Sequence, residues 1–135
     1  MLAAREHSRR QLRTKLLGRG FDVDVIEVVL DGLESTGLLS DARFTESYIE
    51  WRVGRGSGPV RIRRELRERG IEDAMIAGFL EIYSGEWQEL LKVVHDRKYG
   101  SEQAQDRKEL SRRARFLEYR GFPGELIRQF LFDFD

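Results

Sequence analysis

One short phrase occurs three times and sets most of what this chain can become: Arg19-Gly20-Phe21, Arg69-Gly70-Ile71 and Arg120-Gly121-Phe122, spaced 50 and 51 residues apart. Recurrence at such a period marks a small structural unit that is copied and stacked. The register extends beyond the phrase. Leu16, Leu66 and Leu117 stand four residues before the glycines, and Ile26, Ile76 and Ile127 stand six after. Val29, Phe79 and Phe130 follow at nine, Leu30, Leu80 and Leu131 at ten, and Leu33, Tyr83 and Phe134 at thirteen. Steps of three and four put these apolar residues on one face of a helix. Each unit is therefore expected to hold a helix ending near the arginine, a turn at Gly20, Gly70 or Gly121, and a second amphipathic helix folded back on the first. The residue just past a helix end often takes a positive φ, which glycine adopts without a Cβ clash, and the following Phe or Ile can cover the turn.

Room for a third helix exists upstream of the second and third phrases. Asp41 to Arg55 places Phe44, Tyr48 and Trp51 at helical spacing behind a Ser40 cap, and Gly85 to Tyr99 does the same with Trp87, Leu90, Leu91 and Val94. Gly54 to Gly58 then breaks the chain before Pro59, a residue suited to the first turn of a new helix. No strand pattern is found. The expected fold is all-α, a tandem of three-helix repeats divided as 1–39, 40–84 and 85–135. Only Met1 to His7 precede the middle helix of the first repeat, so its leading helix is expected to be truncated or to lie in missing upstream sequence.

Apolar residues form 40% of the chain and charged residues 36%, which allows only a thin core, in one compact domain or in units sharing one continuous core. The absence of cysteine excludes disulfides and thiolate metal sites and points to a reducing, cytoplasmic setting. No run approaches the roughly 18 apolar residues of a membrane span, and Met1 to Arg10 has no apolar signal core, so no membrane association is expected. A net charge of zero would argue against nucleic acid if the charges were mixed, but they are segregated. Residues 1–20 carry six basic and one acidic side chain, 21–51 one and eight, 52–70 seven and two, 71–91 none and five, 92–120 nine and five, and 121–135 one and three.

Winding the helix from Pro59 at about 100° per residue puts Ile62 and Leu66 on one side and Arg61, Arg64 and Arg67 on the other. Arg63 lies beside that row, and Arg52 and Arg55 arrive from the preceding helix. Guanidinium forks match phosphates and carboxylates, so the row can grip a DNA backbone or an acidic protein groove. Glu65 and Glu68, four residues after Arg61 and Arg64, leave a solvated and partly self-paired face as the alternative. Lys98, Arg107, Lys108, Arg112, Arg113 and Arg115 repeat the theme in the third unit with acids interleaved, and a plain charged surface is equally open there. Tyr48 and Trp51 are expected in the core, with base stacking or anchoring in a partner pocket as the alternative. Phe132, off the repeat register, is the one terminal aromatic expected to be exposed.

Gly54, Gly56 and Gly58 resemble a phosphate loop only superficially, since no strand precedes them and no Gly-Lys-Ser/Thr follows. His7 and His95 lack a histidine partner at helical spacing, and no serine sits in a nucleophile phrase. No enzyme activity, metal or cofactor is expected.

Asp41-Ala-Arg-Phe44, Tyr48, Arg52 and Gly56-Ser-Gly-Pro-Val-Arg-Ile-Arg-Arg-Glu-Leu66, running on to Arg69-Gly70-Ile71, resemble the signature of the RecX family. The likeness continues in Arg5-Glu-His-Ser8, Leu12 and Lys15-Leu16, and in Tyr99-Gly100 and Phe116-Leu-Glu-Tyr-Arg-Gly-Phe-Pro123. It implies an elongated, curved array that lies in the groove of the RecA filament on single-stranded DNA, as a monomer. It further implies inhibition of the filament's ATPase, strand-exchange and coprotease activities, with single- or double-stranded DNA as a further partner. Arg52, Arg61, Arg63, Arg64 and Arg67 match the family's exposed positions, while Phe44, Leu66 and Gly70 match structural ones. A stand-alone DNA-binding helical module is the competing reading.

Overall fold

The computed structural model describes residues 6–132, so Arg5 and Phe134 of the motifs above lie outside the described residues. Within that span the chain is all helix: α1 (Arg9–Gly18), α2 (Val23–Ser35), α3 (Asp41–Gly54), α4 (Pro59–Glu68), α5 (Asp73–Glu81), α6 (Trp87–Tyr99), α7 (Arg107–Tyr119) and α8 (Gly124–Phe132). The closest helix pairings all fall within three groups, α1 with α2, α3 to α5, and α6 to α8.

Local chemistry sets each start. Ser8 and Gln11 form a reciprocal capping box on α1, the Ser40 hydroxyl accepts from the Arg43 N–H on α3, and Asp106 does the same for Glu109 on α7. Pro59 opens α4, where its missing N–H costs nothing. The recurring phrase is a helix stop. In all three copies the N–H after the glycine donates to the leucine four residues before it: Phe21 to Leu16 O at 3.3 Å, Ile71 to Leu66 O at 3.1 Å and Phe122 to Leu117 O at 3.2 Å. That bond, together with a glycine at positive φ, is the Schellman ending, and it accounts for the fixed leucine as well as the glycine.

Among the described residues the cores are three rather than one continuous body. Ile26, Leu30 and Leu39 form the first; Phe44, Ile49, Ile62, Leu66, Ile71, Ile76, Leu80 and Trp87 the second; Leu91, Val94, Leu117, Phe122, Ile127 and Leu131 the third. Leu90 and Leu126 pack against both the second and the third, so among the described residues apolar continuity joins those two cores and not the first. The first is small for a plain reason: its α2 register residues have no leading helix over them among the described residues. Phe21 is 52% exposed where its counterparts Ile71 and Phe122 are buried, and Val25 and Val29 lie open as well. The accessible surface is 9094 Å², against roughly 7,300 Å² for a compact chain of this mass, as expected when small cores are strung out.

Candidate functional site

The basic row of the second unit divides in two. Ile62 and Leu66 are fully buried, so α4 turns its arginines outward as its period requires. Glu65, however, reaches into them. Its carboxylate accepts two bonds from Arg52, both at 2.9 Å, one from Arg61 at 3.1 Å and one from the Tyr48 hydroxyl at 2.7 Å. Burial pushes the Glu65 carboxyl pKa up, but Tyr48, Arg52 and Arg61 outweigh it and hold the value below the usual glutamate range. The same arrangement raises Tyr48 to about 12, through burial first and the Glu65 bond second. Arg52 was expected as an exposed contact; it is only 14% exposed and tied to this network, because it stands four residues after Tyr48 on the face of α3 that meets α4. Arg67 pairs with Asp73 at 2.6 Å in the open. Among the described residues Arg55, Arg63 and Arg64 have no salt bridge.

Arg113 requires the larger correction. The sequence places it with the exposed cations of the third unit, yet it is 5% exposed. One terminal nitrogen contacts His95 Nε2 at 3.1 Å and donates to the Glu102 carbonyl at 2.9 Å, the other donates to Glu109 at 2.6 Å, and the guanidinium lies 4.8 Å from the Tyr99 ring centre. Arg113 sits four residues before Leu117, on the core stripe of α7, and that period outranks its charge. His95 is held from the other side by Asp96, 2.8 Å from its Nδ1. With Arg113 donating to Nε2, the proton belongs on Nδ1, facing the carboxylate. Lys98 rests over the Tyr99 and Phe116 rings, while Lys108 and Arg112 are exposed on α7.

Three residues passed over by charge counting or misplaced by periodicity join this surface. Trp51, expected in the core, is 51% exposed, with the guanidiniums of Arg52 and Arg55 each 5.3 Å from its ring centre. Tyr119 is 74% exposed beneath Arg61, also at 5.3 Å. Arg120, legible only as part of the turn phrase, donates to the Arg55 carbonyl at 2.7 Å. Its pKa is depressed by burial and by the neighbouring charges of Arg61, Arg52 and Arg97. The sequence signal for Trp51 is its position one and four residues before Arg52 and Arg55. Among the described residues no group of three or more metal-ligating side chains gathers, and no helix is long and apolar enough to cross a membrane.

Residues 1–33, 40–80 and 85–131 match the family models described as RecX, first, second and third three-helix domain. The chain belongs to the RecX family. It is 43% identical over 128 residues to "Regulatory protein RecX" of Halorhodospira halophila, covering 95% of this chain and 80% of that one. It is 44% identical over 131 residues to the protein of the same name in Pseudomonas putida strain GB-1, covering 97% and 84%. The crystal structure of RecX from Lactobacillus salivarius superimposes with a TM-score of 0.79 at 20% identity, covering 95% of this chain and 85% of that one. A further crystal structure of regulatory protein RecX gives 0.81 at 23% identity, covering 98% of this chain and 66% of that one. At those identities the likeness is one of fold.

Proposed function

We propose that this chain is a negative regulator of RecA, acting in the cytoplasm as a monomer, which binds the RecA filament on single-stranded DNA and inhibits its ATPase, strand-exchange and coprotease activities without itself making or breaking a bond. The observation that carries the reading is the mode of assembly. Helical units are locked end to end through their turns, with cations left free on the outside, as in Arg55, Arg63 and Arg64 of the second unit. An elongated body of that kind, laid along a polymer, holds several subunits in one arrangement. Because it binds that arrangement better than the others, it shifts the population toward it and slows the rearrangements that ATP turnover needs. Separated basic and acidic stretches suit docking against a surface of mixed sign, where charge sets orientation and encounter rate.

The test is RecA's DNA-dependent ATPase with substoichiometric amounts of this protein. Inhibition well below one copy per RecA is expected, and no effect at any ratio overturns the reading. Replacing Arg63 and Arg64 together by glutamine is expected to weaken inhibition several-fold while the far-ultraviolet circular dichroism stays unchanged. Full inhibition by that double variant would move the contact to another face.

A further inference from the structure

The first unit carries an open apolar face at positions that the other two units keep covered. In the second unit α3 packs on α5, and Ile71, Met75 and Phe79 lie in or against a core to which α3 contributes Phe44 and Ile49. In the third, Phe122, Leu126 and Phe130 stand in the same register, in or against a core that α6 supplies with Leu91 and Val94. The matching residues of the first unit are Phe21, Val25 and Val29, and all three are exposed. Leu12 and Leu16 of α1 are only half-buried, whereas their counterparts Ile62 and Leu66 in α4 are fully buried. Val28, three residues after Val25, extends the same face of α2. It is 71% exposed, and the repeat does not call for it, since Gly78 and Gln129 hold that place in the other units.

We infer that this face is a docking groove for one amphipathic helix of a partner protein, a helix that enters with a basic first turn. The other units define the shape of the occupant. There the covering helices are 14 and 13 residues long, and α6 buries Trp87, Leu91 and Val94 at steps of four and three. An apolar stripe of that period laid into a hydrophobic groove is a recurring mode of peptide recognition. Val28 makes the groove wider than the repeat needs, which suits an occupant other than a copy of α3 or α6. Charge then sets the kind of helix. Thr45 Oγ1 lies 3.7 Å from Met75 Sδ, so α3 and α5 begin side by side. A helix seated likewise on the first unit begins over Val25, the counterpart of Met75, with Asp22 and Asp24 close in sequence to that point. From Phe21 to Leu39 there are five acids and no base, and Glu27, Asp31 and Glu34 are taken up by Arg9 and Arg13. Asp22 and Asp24 are exposed and, among the described residues, have no salt bridge. Cations in the first turn of the occupant meet them. The α2 of a second copy would bring the same acids and no cation.

This groove requires no recombinase, so its test is separate from that of the regulatory reading. The probe is a synthetic peptide of residues 86–100 carrying Glu86→Lys and Glu89→Lys, titrated into the intact 15N-labelled chain at about 50 mM salt. Amide shifts are expected first at Phe21, Val25, Val28 and Val29. Val28→Asp should weaken binding about tenfold, with unchanged circular dichroism because Val28 lies outside the three cores. The same peptide with both glutamates kept should bind several-fold more weakly, a gap that closes at about 1 M salt. No shift at about 1 mM peptide, shifts centred on another unit, or full affinity in Val28→Asp would each overturn the groove. Equal binding of the two peptides at low salt would overturn the basic first turn. A dimer of the chain alone that Val28→Asp dissolves, seen by sedimentation equilibrium, would make a second copy the occupant and overturn the partner. None of these outcomes bears on the ATPase test.

Discussion

The two joints between units use the same Arg-Gly turn and differ in what meets it. Between the second and third units the partner is backbone: Gly58 N–H donates to the Arg120 carbonyl and Val60 N–H to the Gly121 carbonyl, both at 2.8 Å, so the start of α4 sits on the turn itself. Leu90 and Leu126 then carry apolar packing across the joint. Between the first and second units the partner is side chain. Ser8 Oγ donates to the Arg69 carbonyl at 2.8 Å, Arg9 N–H donates to Asp41 at 2.8 Å, and Arg43 pairs with Glu6 at 2.9 Å. A Cβ on Gly70 would meet the Arg10 side chain, its Cβ and Cδ at 2.7 Å, in place of backbone, and a groove of about 310 Å³ lined by His7, Arg10, Gln11, Thr14, Lys15, Glu68 and Arg69 lies beside it. Direct backbone contact requires glycine on both sides and gives a rigid joint. The side-chain version tolerates adjustment and leaves the first unit the more easily displaced.

The largest effect is therefore expected at Gly121. It has a φ of +102°, and a Cβ there would lie 2.8 Å from the Arg61 backbone nitrogen. Gly121→Val combines a left-handed penalty of about 1–2 kcal/mol with overpacking of about 1–3 kcal/mol. Urea titration should show a loss of roughly that sum, with the third unit melting separately from the second. Gly70→Val carries the same backbone penalty of about 1–2 kcal/mol, and its added Cβ meets Arg10 Cβ and Cδ at 2.7 Å, a contact relieved by shifting α1 on the second unit and not by moving paired backbone, so a smaller loss than at Gly121 is expected. Equal losses at the two glycines would show that the joints do not differ as described.

Much of this fold was legible because the repeat and the helical period report on the backbone and the core. Ile26, Ile76, Ile127, Leu66 and Leu117 are buried as their register requires, and the Ser40 cap and Pro59 start lie where the sequence puts them. Leu16 is only half-buried, because the core of the first unit is incomplete among the described residues. The site was harder to read because charge alone does not say which cations are already paired. Arg113 and Arg52 are taken up by partners 18 and 13 residues away in sequence, His95 and Glu65, a separation that counting by segment does not see. Trp51 follows the less favoured of its two sequence readings, an exposed ring and not a core one: aromatic residues at helical spacing usually belong to the core, and here the spacing continues past the edge of it.

Ser8 offers a finer test of the first joint. Its hydroxyl accepts from Gln11 N–H at 3.1 Å while donating to Arg69 O, so Ser8→Ala removes a helix cap and an inter-unit bond at once. A loss of about 1–2 kcal/mol is expected in a urea titration, combining the cap with a buried hydrogen bond. Ser8→Asp separates the two, because a carboxylate caps α1 but cannot donate to a carbonyl. It should restore helix stability without restoring the joint, which amide hydrogen exchange at the start of α1 would report.

The smallest effect is expected from acid, and it bears on the hold of α1 in the first unit. Arg9 bonds Glu27, Asp31 and Glu34, and Arg13 bonds Glu27 again, so ion pairs add to the apolar contacts of Leu12 and Leu16 in holding α1 on α2. The hydrogen bonds from Arg13 and then Arg9 lower the Glu27 pKa to about 2. A carboxyl depressed on folding contributes stability that is complete above its unfolded value, near 4.5, and is lost as the pH falls toward 2. Residues of α1 should therefore lose exchange protection across that interval before the Gly58 and Val60 amides, whose bonds to the third unit are backbone to backbone and do not titrate. Because the carboxylates of this cluster are solvent-exposed, salt should blunt the effect. Glu27→Gln should make the protection of α1 nearly independent of pH between about 4.5 and 2, and an undiminished acid dependence in that variant would mean that the weakness of the first joint lies elsewhere.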